Sequence, residues 1–228
     1  IQAAMEAGAR RVYLIEEPLA AALGAHLDVS APEGRMVVDI GGGTTDIGVI
    51  TMNGVAISSS IKVAGTQFDE VIIKYVRKRF GVIIGANTAE EIKLSIGCVS
   101  PRPASLTMTA KGRDVKSGLA HEFTVTSEEI MEVLRRPARQ IADRVLDVLE
   151  QTTPELVADI SKNGILLTGG GSQLWGMDQV LRDRTEMNCV VADDADSCVA
   201  YGCGKSLGWM NHMQEGTINI SRRRLLKE

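Results

Sequence analysis

The sequence predicts an α/β fold with a small subsidiary sheet, and three observations lead there. Apolar β-type runs alternate with stretches of helical periodicity. A strand meander comes before the first long helical pattern: residues 36–40, 46–50 and a further apolar run to Val63 are separated by a glycine loop and by Asn53-Gly54, a strong hairpin signal. From 105 to 125 the pattern changes to short polar and apolar alternation interrupted by Gly112 and Gly118, which reads as a small sheet in a second lobe.

The helices follow from spacing and punctuation. Phe68, Val71, Ile72, Tyr75, Val76 and Phe80 recur at helical spacing after Thr66, whose hydroxyl is expected to cap the helix with Asp69 at its third position; Gly81 ends it. Thr88 with Glu91 is expected to cap a short helix carrying Glu90 and Lys93. Thr126 with Glu129 is a third capping box, followed by Ile130, Val133, Leu134, Ile141, Val145, Leu146 and Leu149 on one face. Pro137 inside that run predicts a kink or break near Arg136. A return strand at 164–168, a helix at 173–184 and a last helix at about 197–213 complete the order. Gly202, Gly204 and Gly208 lie in that last helix, each costing about 1 kcal/mol relative to alanine, so close backbone packing is expected to compensate.

Composition sets limits on function. At 228 residues and 44% hydrophobic the chain can bury a substantial core, and with only 4% aromatics that core must be aliphatic. The net charge of −4 gives no broad attraction for nucleic acid, and Arg222, Arg223 and Arg224 read as a solvated basic tail. Cys98, Cys189, Cys198 and Cys203 lack metal-ligand spacing and read as reduced, mostly buried thiols. His26, His121 and His212 are too scattered for a catalytic or metal cluster. With no signal peptide and no apolar run of spanning length, a reducing cytosol is the expected compartment.

Function is carried by two glycine triplets, Gly41-Gly42-Gly43 followed by Thr44-Thr45-Asp46, and Gly169-Gly170-Gly171 followed by Ser172, each fed by an apolar run. Without β-carbons, backbone N–H groups can approach phosphate oxygens or a sugar. Neither triplet continues as G-x-G-x-x-G, and Gly204-Lys205-Ser206 is no P-loop because Val199 stands where that motif needs glycine. Asp39, at the strand end before the first triplet, is placed to hold a hydrated Mg²⁺, and Thr44 adds a hydroxyl near a terminal phosphate. Bound so, a phosphate chain suits phosphoryl transfer to water. The alternative is a tight hairpin turn capped by Asp39 and Thr44.

Residues 15–24 (Ile-Glu-Glu-Pro-Leu-Ala-Ala-Ala-Leu-Gly), 38–46 and 166–172 together resemble the actin, chaperone and sugar-kinase ATPase superfamily, and within it the MreB/Mbl family of bacterial actins; 65–70, 85–93 and 175–178 support this, and the resemblance runs from the first residue to about Met210. It implies the actin-like, ribonuclease H-like fold of the family's second domain: a mixed sheet flanked by helices, with a smaller α+β lobe. The implied division is 1–30 as crossing helix and end of a first domain, 31–65 and 138–213 as the larger lobe, 66–137 as the smaller lobe and 214–228 as a tail.

Carried over from the family, Gly41, Gly42, Gly43, Thr44 and Thr45 hold phosphates, Asp39 holds Mg²⁺ through water, and Glu17 with Thr44 polarises the attacking water, while Glu16 points elsewhere. Gly169, Gly170, Gly171, Glu90 and Lys93 contact the adenosine of ATP. On spacing alone, Glu90 and Lys93 would be an ordinary surface pair. The family pattern departs at Ala86-Asn87 and at Ala195, and no Asp-x-Gly-Thr-like loop precedes Glu17, so the chain is expected to be the C-terminal portion of a longer protein. The implied function is a slow, Mg-dependent ATPase that polymerises into cytoplasmic filaments and organises cell-wall synthesis and rod shape. The parent protein would also meet the cell-wall machinery and the membrane. A chaperone-type ATPase and a metabolite kinase of the same superfamily are the alternatives.

Overall fold

The computed structural model describes residues 1–209. The helices are α1 (Gln2–Glu6), α2 (Glu17–Gly24), α3 (Gly65–Phe80), α4 (Ala86–Ile96), α5 (Ser127–Gln151), α6 (Pro154–Asn163), α7 (Met177–Thr185) and α8 (Cys198–Trp209). The strands are β1 (Arg35–Ile40), β2 (Thr45–Thr51), β3 (Gly54–Ile61), β4 (Val82–Ile83), β5 (Thr107–Asp114), β6 (Ala120–Thr126), β7 (Ile165–Thr168) and β8 (Cys189–Val191). They form a five-stranded mixed sheet in the order β3-β2-β1-β7-β8 and a three-stranded antiparallel sheet in the order β4-β5-β6. The α/β class, the meander and the second small sheet are therefore as the sequence predicts.

Alternation along β1 and β2 explains why helices cover both faces of the larger sheet. Met36, Val38, Ile40, Ile47 and Val49 point into one apolar cluster, which continues through Phe68, Ile72, Leu134 and Ile141. Val37 and Ile50 point the other way, into a cluster with Leu19, Ala21, Ala22 and Leu23 of α2. The first cluster also holds Val82, Phe123 and Val125 of the small sheet, so both sheets share one continuous core. On the other face, a Cβ on Gly48 would lie 2.5 Å from the Pro18 ring, so glycine lets the start of α2 sit directly on β2. Behind α2 lies α8, where a Cβ on Gly202 would meet the Ala20 backbone; the expected close packing is present at Gly202, whereas Gly204 and Gly208 face open space.

Helix α5 opens as predicted: Thr126 Oγ1 accepts from Glu129 N, and Glu129 Oε2 accepts from Thr126 N. It then continues unbroken through Pro137, which is buried among its neighbours, so no break occurs near Arg136. The pyrrolidine ring still removes one helical donor, and burial of Ile130, Leu134, Ile141 and Val145 along the stripe outweighs that cost.

Other boundaries differ from expectation. Thr66 and Thr88 are not caps; α3 is preceded by Ala64 and α4 by Gly85, neither with a side-chain cap, and at α3 tertiary contacts supply partners for the first N–H groups. The hairpin turn uses Met52 and Asn53, both at positive φ, and Gly54 already pairs with Thr51. This is the two-residue primed geometry whose twist suits the flanking strands. The helix expected from 173 starts at Met177, after a 3-10 turn at Gly170–Gln173 and a bridge from Trp175 to Cys98. Three cysteines are buried and Cys203 is exposed. His212, Arg222, Arg223, Arg224 and the expected tail lie outside the described residues.

Candidate functional site

Strands β1 and β7 run parallel with Asp39 opposite Thr168, so both glycine loops leave the same sheet edge, at the carboxyl ends of neighbouring strands. This is where open α/β sheets place ligands. The second loop packs on the end of β1, just before the first. A Cβ on Gly169, whose φ is +79°, would lie 2.6 Å from Asp39 Oδ1, and one on Gly171 would lie 2.5 Å from Ile40 Cγ2. Those two glycines are thus required by the docking of the second loop on the end of β1. Gly42, Gly43 and Gly170, by contrast, have open space where a side chain would be.

The first loop is a tight turn closed by Gly41 N to Thr44 O at 3.0 Å. Helix α3 is docked on it end-on, with Gly65 N donating to Gly41 O at 3.1 Å and Thr66 N to Gly42 O at 2.8 Å. Two of the orphan N–H groups at the start of α3 are satisfied in this way, which is why Thr66 need not cap. Thr45 is fully buried and its hydroxyl donates to Val63 O at 2.7 Å, so its side chain anchors β2 and only its backbone faces the loop.

Asp39 is 3% exposed and accepts from Thr168 Oγ1 at 3.0 Å. Burial raises its pKa to about 6; the Thr168 bond opposes that rise, and the charges of Glu17 and Asp46 add to it. Glu17, exposed at the first turn of α2, and Asp46, opposite Asp39 on β2, therefore make the surroundings of Asp39 markedly negative. Among the described residues no group of three or more Asp, Glu, His or Cys side chains is arranged to cage a metal. A single buried carboxylate among like charges fits a hydrated Mg²⁺, which keeps several waters and takes its remaining ligands from phosphate.

A cavity of ≈ 410 Å³ opens between the two loops, the start of α3, α4 and the segment after each. Gly41, Gly42, Glu90, Lys93, Gly170 and Gly171 line it. Asp39, Glu17, Gly43, Thr44, Thr45 and Gly169 are not among its lining residues. Sequence reasoning missed Phe68, Arg102, Leu174, Trp175 and Asp196 as wall residues. The Arg102 guanidinium lies 4.9 Å from the Trp175 ring centroid and its Nη2 donates to Gly97 O at 2.9 Å. The sequence signal for this wall is a tryptophan four residues after the second glycine triplet, and the structure leaves it 45% exposed. Lys93 and Glu90 are not partners: Lys93 Nζ lies 2.9 Å from Asp69 Oδ1, donates to Asp69 Oδ2 at 3.0 Å, and reaches Gly65 O at 3.3 Å.

Other reactive groups are far less suited to chemistry. Burial pushes the Cys189 thiol up to about 11 and also raises those of Cys98 and Cys198. Among the described residues no helix is long and apolar enough to cross a membrane.

Comparison with known proteins matches residues 1–215 to the family described as MreB/Mbl protein. The cell shape-determining protein MreB of Escherichia coli is 49% identical over 206 residues, which is 90% of this chain and 59% of that protein. The chain thus spans about three-fifths of such relatives. Among solved structures, MreB5 of Spiroplasma citri bound to ADP is similar at TM-score 0.87 and 39% identity, covering 91% of this chain and 64% of that one. The MamK double helical filament shares the fold at TM-score 0.67 and 21% identity, covering 84% and 58%.

Proposed function

This chain belongs to the MreB/Mbl family of actin-like proteins, and from that premise we propose that it forms the ATP-binding larger part of a cytoskeletal protein that assembles into filaments and governs cell shape. One observation carries the reading: two glycine loops far apart in sequence follow Asp39 and Thr168, which are bonded across 129 residues, and lie side by side at one sheet edge with a cavity between them. The nucleotide complexes of the Spiroplasma citri relative with ADP and with AMPPNP support the choice of ligand.

The residues divide between two ends. At one end, Glu90, Lys93, Gly170 and Gly171 of the cavity wall, with Gly169 beside them, contact adenosine. At the other end, the backbone from Gly41 and Gly42, which border the cavity, on to Thr45 binds the β- and γ-phosphates. Asp39 fixes a water-held Mg²⁺, and Glu17 with Thr44 orients the water that attacks. When bound, Mg²⁺ offsets the charge of the phosphates, and here it would also relieve the repulsion among Asp39, Glu17 and Asp46. Supporting the lobe division of 31–65 with 138–213, and 66–137, the five strands of one sheet come from the first set and the three of the other from the second. Filaments lying in the cytoplasm against the membrane and working with the cell-wall machinery belong to the same proposal.

The test is ATP- and Mg²⁺-dependent sedimentation with phosphate release on the intact natural protein. Pelleting filaments with slow hydrolysis are expected, and Glu17→Ala should slow phosphate release by on the order of 10²-fold while leaving nucleotide binding in place. Soluble protein under every nucleotide, or unchanged turnover in the variant, would overturn the filament reading or the role of Glu17 respectively.

A further inference from the structure

Lys93 belongs to the cavity wall, yet its ammonium is already held from behind. Of its three N–H donors, one goes to Asp69 Oδ2 at 3.0 Å and one to Gly65 O at 3.3 Å, which leaves one for a ligand. Asp69 and Lys93 are only 15% and 12% exposed, so this is a largely desolvated pair. Burial raises the carboxyl pKa of Asp69 and Lys93 opposes the rise, so desolvation of the carboxyl carries a cost that its partner offsets in part. The cost extends to the second oxygen: Asp69 Oδ1 lies 2.9 Å from the ammonium but has no properly directed hydrogen bond. Surface ion pairs do not need such an arrangement.

The position of Asp69 on α3 gives the pair its meaning. The first residues of α3 donate to Gly41 O and Gly42 O, and Gly65 supplies both one of those donors and the carbonyl that receives Lys93. Resting on the reading that Lys93 meets the nucleoside, we infer that Asp69 is a positioning residue: it fixes the Lys93 ammonium between α4 and the loop-bound end of α3, so that the free N–H points into the cavity. The glycine loop and the nucleoside contact are thereby set by the same first turn of α3. Asp69 itself touches no nucleotide.

A double-mutant cycle on ATP binding tests this in the intact natural protein, with Asp69→Asn, Lys93→Met and the pair, each checked for cooperative melting. Asp69→Asn keeps the shape and an acceptor while removing the charge, so a folded variant is expected where Asp69→Ala would leave Lys93 without that side-chain partner. With Lys93 present, Asp69→Asn should weaken ATP binding by roughly 10-fold, the scale of a hydrogen bond to a charged group. With Lys93 already replaced, it should change binding by no more than about 2-fold. Asp69→Glu should restore part of the loss. Equal losses with and without Lys93, or a lower melting temperature with unchanged ATP affinity, would overturn the inference. Wild-type protein that binds no ATP would instead refute the functional reading itself.

Discussion

Gly202→Ala and Gly204→Ala should move stability in opposite directions, although both replace a glycine in the same helix. On propensity alone each change favours α8 by up to about 1 kcal/mol. At Gly204 a new Cβ meets nothing within 4 Å, so that gain should appear in full. At Gly202 the new Cβ would fall onto the Ala20 carbonyl, 2.5 Å from its carbon and 3.0 Å from its Cα, where real contacts essentially never come so close. The obstacle is backbone, and Gly24 of α2 has the same relation to the Cys198 carbonyl carbon at 2.5 Å, so α2 and α8 must part along their shared face. Overpacking of this kind costs typically 1–3 kcal/mol, and the parted helices also lose part of the burial of Leu19 and Leu23, so a net loss of about 2 kcal/mol is expected. Urea denaturation of the two variants beside the parent reads the difference through the midpoint at constant slope. Because α2 begins at Glu17, the Gly202 variant should also hydrolyse ATP more slowly, while the Gly204 variant should not. A Gly202→Ala protein as stable as the parent would refute the close approach of the two helices.

Two further perturbations separate other parts of the fold. The buried Asp39 carboxyl, raised to about 6, holds its proton more tightly in the native than in the unfolded chain. The native state therefore binds more protons between about pH 4 and 6, and stability falls as pH rises through that window. Asp39→Asn should consequently be more stable than the parent at pH 7 without Mg²⁺, by up to about 3 kcal/mol, and equally stable near pH 4. Denaturation curves at both pH values check this, and a variant less stable at pH 7 would show that the Thr168 bond outweighs burial. Thr126→Ala, which removes the capping box of α5, should cost about 1 kcal/mol in the same assay.

How much of this could be read from residues depends on the range of the interaction concerned. The capping box at Thr126 and Glu129 was legible because both bonds lie within one turn. The meander was legible because 36–40 and 46–50 are apolar runs parted by a glycine loop and followed by Asn53-Gly54, although the turn sits at Met52 and Asn53, one residue before that signal. Thr66 misled because its neighbours satisfy the start of α3 from a loop more than twenty residues earlier, and no local pattern reports that. Strand β8 has three residues and gives no periodicity of its own. At the site, the two glycine loops were legible as tight turns at the ends of apolar strands. The division between Gly42, Gly43 and Gly170, which are open, and Gly169 and Gly171, whose space is filled by Asp39 and Ile40 at the end of β1, exists only in three dimensions. The partnership of Lys93 with Asp69, twenty-four residues away, is likewise a product of helix docking.

The bond from Thr168 to Asp39 closes a span of 129 residues. Local segments such as the hairpin of β5 and β6 can form early, whereas the parallel pairing of β1 with β7 must wait until the chain between them has been brought together, at an entropic cost met before its contacts give any return. The ligand cleft is therefore completed late in folding, and no shorter piece of the chain contains it. Any molecule that occupies the cleft binds the finished state alone and adds to its stability in proportion to the logarithm of its concentration. During synthesis, the nucleotide pool would then act as a fastening applied only after the last strands have come home.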